Sequence, residues 1–409
     1  MYVVADENQK VPIKIWLDEG EIEIECLGQA KKLAQMPFIH KWVALMPDTH
    51  TGMGMPIGGV IAADNVIIPN AVGSDIGCGM AYVQTDIKAE DITKTMTDSG
   101  TVLQCIIGDI LRNIPVGFSK HGEKQPCKTL DSAMEEPEKY SFVPDLQNEL
   151  KNVYYQAGTL GGGNHFIEIQ EGDDGYVGIM LHSGSRNIGA RVCNYFHKLA
   201  RELNEKWYSD LPDTKQLAFL PVDIEEGQAY INYMQLCLDF AHENRDKMMD
   251  EVQKTFTKLC ERHLSKTPEY SDYINCHHNY AALENHYDKN VWVHRKGAIR
   301  ARENEVGIIP GAMGSFSYIV RGKGNPESFM SCSHGAGRKM SRTKAKETYT
   351  VEQVMTDINS SGMVLGKRSK KDVAEEYRLS YKDIDRVIEN EKDLVETIKK
   401  LKTLGVVKG

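Results

Sequence analysis

The sequence predicts an α+β fold, a single large domain whose β-rich core carries the chemistry and whose helices lie at the periphery. Three observations lead there. Between 41 and 87 the chain passes through short apolar runs, KWVALM, GGVIAA, NVIIP and MAYVQTDI, separated by glycine-rich turns. Residues 189–209 and 223–265 instead carry helical periodicity, the second through Ala229, Met234, Leu238, Ala241, Met248, Val252, Phe256 and Leu259. Strand-like runs then return at 290–322. With no internal repeat and no low-complexity linker, residues 1–409 read as one domain with a helical insertion at about 189–265.

Taken in order, VPIKIWL at 11–17 alternates enough for a strand, and 28–35 predicts a short helix ended by Met36-Pro37. Residues 118–140, with HGEKQP and EEPEKY, have the composition of a mobile surface loop. A helix is expected near 145–157. GTLGGGNHFIEI then sets four glycines ahead of a histidine and a strand, and VGIMLHSGSR at 177–186 reads as another strand. The last predicted element is a helix at about 383–402, followed by the C-terminal VVKG.

Composition narrows the function class. At 41% hydrophobic and 26% charged residues the chain is an ordinary globular protein. No apolar run approaches the roughly 18–20 residues of a membrane span, and MYVVADENQK lacks a basic region followed by an apolar one. A cytoplasmic location without a membrane partner is therefore expected. The nine cysteines are irregularly spaced and include no CxxC pair, which argues against a disulfide framework and a zinc ribbon. A net charge of −9 gives no global pull toward nucleic acid, so a polyanion needs a local basic surface. Two candidates exist: the stretch after His334, and RKGAIRAR with Arg295, Lys296, Arg300 and Arg302.

The stretch SCSHGAGRKMSRTKAK, 331–346, is the most informative. Gly335, Ala336 and Gly337 beside His334 let a bulky ligand approach the backbone, and Arg338, Lys339, Arg342, Lys344 and Lys346 offer charge for phosphates. A neutral imidazole can attack phosphorus, and His334 is the expected nucleophile. Alone, the stretch also fits a glycine turn leading into a solvated basic helix. VGSDIGCGM sets Asp75 and Cys78 three apart in a glycine frame, where carboxylate and thiolate can converge and sulfur can bridge two cations. The plain alternative is a buried cysteine and a turn aspartate. Asn164-His165, His182 in LHSGSR and His277-His278 in NCHHNY each stand at a strand–loop junction, so a shared metal site is the better reading. Such a set could hold two divalent ions about 3.5–4 Å apart that clamp phosphate oxygens. His50, His286 and His294 compete for these roles, and spacing does not separate them. GxxxxGK[ST] is absent, so a nucleotide would not be held by a Walker loop.

These segments, with PDTHTGMG at 47–54, GNHFIE at 163–168 and LSYKDID at 379–385, resemble the RtcB family of RNA ligases over about residues 10–409. The resemblance implies a GTP-dependent ligase with two Mn²⁺ ions. It would join RNA ending in a 3′-phosphate or 2′,3′-cyclic phosphate to a 5′-hydroxyl, in tRNA splicing or RNA repair. By residue match, Asp75, Cys78, His165, His182 and His278 would be metal ligands. Cys78 would bridge, His165 would complete one sphere, and His182 with His278 the other. His334 would be guanylylated beside Gly335, Ala336 and Gly337. Asn164 would meet nucleotide phosphate, Glu168 the guanine edge, Tyr381 the base face and Lys408 the base from the last turn of the chain. Arg186 would be a cation near the RNA or triphosphate, and an archease-like activator is a partner the family allows. Thiolate and imidazole favour Zn²⁺ by softness, so Mn²⁺ comes from the resemblance and not from ligand chemistry. Thr49, Met55-Pro56 and Ser74 depart from the family pattern without removing a site residue, and they leave the physiological RNA open. Two further readings use the same residues: GMP capping of nucleic-acid 3′-phosphates, and a dinuclear-metal cyclic phosphodiesterase that needs no GTP.

Overall fold

The computed structural model describes residues 1–213 and 215–409. Two β-sheets form the body. The first orders six strands as Tyr2–Val4, Ile13–Ile15, Ile39–His50, Ile57–Ala63, Lys289–Lys296 and Asn279–His286. The second runs Tyr270–His277, Gly79–Lys88, Tyr176–Ser183, Phe166–Gly172, Val395–Lys408, Phe316–Gly322 and Val306–Ile309, with Val364–Gly366 in parallel beside Val395–Lys408. Its two outermost strands approach each other through Cys276 and Ile308, so this sheet curls into a nearly closed barrel. The fold is mixed α+β, as the alternation of glycine-punctuated and helical segments requires.

Register in the second sheet decides where the chemistry lies. His277, Gly79 and Ser183 stand abreast on one rung; Cys276, Met80, His182, Phe166 and Lys408 form the next. Because neighbouring strands run antiparallel, one strand's end meets the next one's start at the same rim. Cys78, His165, His182 and His278 therefore come from four strand ends at a single edge.

The predicted helices appear at Asn187–Lys206 and Glu225–Leu264. The second spans 40 residues, a rod of about 60 Å, and all eight of its predicted core positions are buried. From inside this helix the fully buried Arg245 donates to Gly77 O at 2.8 Å, Ser183 O at 2.9 Å and Asn275 Oδ1 at 2.7 Å. One guanidinium thus ties the Cys78 turn to the ends of two neighbouring strands.

Three expectations are corrected. The predicted helix at 383–402 is a short helix, Ile384–Asn390, followed by the strand Val395–Lys408. Its lysine-rich run is helix-compatible, but Val395, Thr397 and Ile398 are β-branched, and the segment pairs with strands on both sides. Part of the loop expected at 118–140 forms the helix Lys128–Glu135. Its first N–H groups, on Lys128 and Thr129, donate to the carboxylate of Glu243 on the long helix, a cap that no local reading supplies. Three of the four cations in the basic stretch RKGAIRAR are engaged within the protein and not offered to a polyanion. Arg295 is fully buried against Glu284, Lys296 donates to Asn70 O at 2.9 Å, and Arg300 is held by Glu305. The Arg295–Glu284 pair implies a test. Glu284→Ala leaves a buried guanidinium without its counter-charge, and denaturant titration should show a loss of about 3–5 kcal/mol; Glu305→Ala, at a partly exposed pair, should change stability by under about 1 kcal/mol.

Candidate metal and nucleotide site

At the barrel rim, ligand atoms of Cys78, His165 and His182 lie within 4.8 Å of one another. The sulfur of Cys78 is 3.2 Å from His182 Nε2 and 3.4 Å from His165 Nε2. Asp75 and His278 extend the group: Asp75 Oδ2 is 3.0 Å from His165 Nε2, and the Nε2 atoms of His182 and His278 are 3.3 Å apart. All five predicted ligands are therefore brought together. The other nitrogens show what these rings present. His165 Nδ1 sits 2.9 Å from Leu160 O and His182 Nδ1 3.2 Å from Asn164 O. A carbonyl only accepts, so each Nδ1 carries the proton and each Nε2 turns a lone pair toward the sulfur. Burial, helped by neighbouring histidines, holds His182 and His278 well below the usual histidine range, hence neutral.

The donor set fits divalent cations. Lone pairs from nitrogen, sulfur and carboxylate face each other at about hydrogen-bond separation with too few protons among them, and His278 Nδ1 is buried without a protein partner. Burial, reinforced by Asp75, pushes the Cys78 thiol well up, so the thiolate needs a cation to form.

His334 follows the short strand Ser331–Ser333, which pairs with Ala298–Arg300 and so brings the ring beside His278, centroids 4.8 Å apart. Its Nδ1 lies 2.6 Å from Asp48 Oδ2, and its backbone N–H donates to the same oxygen at 3.2 Å. Asp48 is fully buried at the end of Ile39–His50, and Lys382 donates to Pro47 O and Thr49 O on either side of it. In the neutral ring a carboxylate at Nδ1 keeps the proton on that nitrogen and leaves Nε2 with the free lone pair, the tautomer a nucleophile needs. Gly337, at φ +70°, lets the chain turn here; a Cβ would meet Asp48 O at 2.1 Å.

A cavity of about 350 Å³ opens from His334 and His182 and is walled by Asn164, Glu168, Gly335, Ala336, Gly337, Tyr381 and Lys408. Every residue expected at the nucleotide thus faces one space. Glu168 Oε2 accepts from Gln170 at 2.7 Å and Thr403 at 3.1 Å, and burial pushes its carboxyl up to about 7. Glu376, buried in the same wall, gathers Arg342 at 3.1 Å, Arg338 at 3.4 Å and Lys408 at 3.6 Å, and accepts from the Tyr381 hydroxyl. Of the five cations after His334, only Arg338 and Arg342 reach this cavity.

Among the competing histidines, His294 takes the Ile68 N–H and His286 pairs with Glu284, both inside the core. His50 lines the cavity without joining the cluster, and His277 turns toward Arg245 and Gly77 O. Arg186 donates to Thr159 Oγ1 and Gly117 O from a backbone at φ +61°, beside His165. Sequence reasoning quoted PDTH without giving Asp48 a role and passed over Glu376. The signal for Asp48 was present, a lone carboxylate in a Pro- and Gly-framed segment; nothing local marks Glu376.

The model of the tRNA-splicing ligase RtcB family matches residues 29–409. The chain belongs to the RtcB family. It is an enzyme, an RNA ligase. It is 38% identical to the RNA-splicing ligase RtcB of Escherichia coli K12 over 98% of both chains. Against the tRNA-splicing ligase RtcB of Methanococcus maripaludis it is 31% identical over 98% of this chain and 95% of the relative. The matched span includes both the Cys/His cluster and the residues that wall the cavity. Among the described residues, no helix is long and apolar enough to cross a membrane.

The converging sulfur gives the test for the metal centre. Cys78→Ala should lose the divalent metal that the parent chain takes up on reconstitution, as measured by metal analysis; metal kept at full affinity would speak against the sulfur as a ligand.

Proposed function

We propose that this chain seals RNA ends through a histidine–GMP intermediate, using GTP and two Mn²⁺ ions held by Asp75, Cys78, His165, His182 and His278. The observation that carries the reading is the shared cavity: His334, the lone-pair cluster and the nucleotide-facing residues border one space. The relatives named for RNA splicing support RNA as the partner; in this reading one strand ends in a 3′-phosphate or 2′,3′-cyclic phosphate and the other in a 5′-hydroxyl.

In this reading Asp48 holds the Nδ1 proton, and Nε2 of His334 attacks the α-phosphorus of GTP as pyrophosphate leaves. The bound ions would supply Lewis-acid stabilisation of the phosphate oxygens. Arg338, Arg342 and Lys408, gathered by Glu376, bring positive charge to the same wall. The GMP group passes from His334 to the RNA 3′-phosphate, which restores the imidazole. The 5′-hydroxyl then displaces GMP to form the phosphodiester. Glu168 sets base choice: an ionised carboxylate accepts from guanine N1–H and N2–H, and adenine offers no matching donor there. The same carboxylate leaves an unmatched acceptor worth about 1–3 kcal/mol against the wrong base.

Mass spectrometry of the protein incubated with GTP and Mn²⁺ should find GMP on His334. His334→Ala should lose the adduct with metals retained, and Asp48→Asn should slow adduct formation by about 10²-fold or more, through loss of the correct tautomer. An adduct of normal yield in His334→Ala would end the proposal. The titration of Glu168 yields a pH signature. Its carboxyl is protonated below about 7 and ionised above, so GTP affinity should fall as pH drops through 7, approaching tenfold per unit. Glu168→Gln should flatten that profile and weaken the preference for GTP over ATP, both read by nucleotide titration without RNA.

A further inference from the structure

The segment 115–125 is braced directly behind the ligand cluster. Leu160 N–H donates to Pro115 O at 2.9 Å, Gly117 N–H donates to Gly161 O at 2.8 Å, and Arg186 donates to Gly117 O at 3.1 Å. Gly161 in turn lies so close to His165 that a Cβ there would sit 2.6 Å from its Nδ1. Further along, His121 N–H donates to Tyr155 O and Gln125 N–H to Tyr154 O. The backbone is therefore fixed, yet the next side chain, Phe118, is fully exposed. Beyond it, Lys120 Nζ stands 5.5 Å from the Tyr155 ring and Lys124 Nζ 5.4 Å from the Tyr154 ring. Lys124 and Tyr154 then line a surface groove with Lys151 and Met134.

Rings alternating with lysines suit a single nucleic-acid strand: bases stack on the rings whatever their identity, and ammonium groups follow the phosphates. A core role does not account for Phe118, because its ring touches water on all sides. None of these residues lines the nucleotide cavity, so the platform is open while GTP is bound. We propose that Phe118, with Lys120 and Lys124, is a stacking platform for the unpaired terminal bases of the RNA strand delivered to the ligand cluster. The proposal rests on the RNA-sealing reading above.

The experiment uses the full chain with Mn²⁺ and two oligoribonucleotides, one ending in a 3′-phosphate and one in a 5′-hydroxyl, each carrying 2-aminopurine at that end. The protein should quench the fluorescence of at least one of them. Phe118→Ala should abolish that quench and raise KM for the same strand about tenfold, whereas Phe118→Trp should preserve both. Lys120→Ala with Lys124→Ala should make binding less salt-dependent, by a slope of about one to two. The GMP adduct formed without RNA should be unchanged in every variant. Quench and KM within twofold of the parent in Phe118→Ala would overturn the platform, and so would loss of the RNA-free adduct in that variant, which would make the loop a support of the cluster. Failure of the parent chain to form any adduct would instead sink the sealing chemistry, and the fluorescence titration is read independently of it.

Discussion

Lone pairs of sulfur, nitrogen and carboxylate face one another at the barrel rim, and an arrangement of that kind persists only with cations or protons among them. Much of the surrounding architecture serves to hold it. Backbone carbonyls of Leu160 and Asn164 fix two imidazole tautomers, and Arg245 clamps the Cys78 turn to the strand ends from behind. The long helix that carries Arg245 is therefore as much a part of the centre as the sheet. Its apolar face packs the barrel, while one buried cation on that face satisfies the carbonyls the rim would otherwise leave open.

The same reasoning links the rim to His334. A neutral imidazole carries its proton on one ring nitrogen and leaves the other bare. Asp48 fixes which nitrogen that is by accepting from Nδ1–H of His334, and the Gly337 turn lets the chain lie against Asp48 closely enough for it to do so. In the wall of the same cavity Glu376 holds three cations and a tyrosine hydroxyl close together. Unscreened, those charges would repel one another; around one carboxylate they stay arranged for an anionic ligand.

Legibility in the sequence followed locality. Asp75 and Cys78 were readable from their shared glycine frame and the three histidines from their strand–loop junctions, and the long helix was readable because its period repeats over eight buried positions. What failed was set by distant partners. The Lys128–Glu135 helix depends on Glu243 for its cap, and the C-terminal strand depends on two neighbouring strands to override a helix-compatible composition. The RKGAIRAR stretch looked like a phosphate surface because its counter-charges, Glu284 and Glu305, are recognised only once the strands are paired.

By itself the sequence determined the chemical inventory: a histidine among small residues, a carboxylate and a thiolate three apart, and three histidines at strand ends, with an α+β alternation to carry them. Only the tertiary structure decided which histidine of each competing set faces the cluster, which cations face the cavity and which carboxylate governs His334. Those choices depend on strand register and on contacts between residues as far apart as Asp48 and His334, and chain-local chemistry carries no record of either.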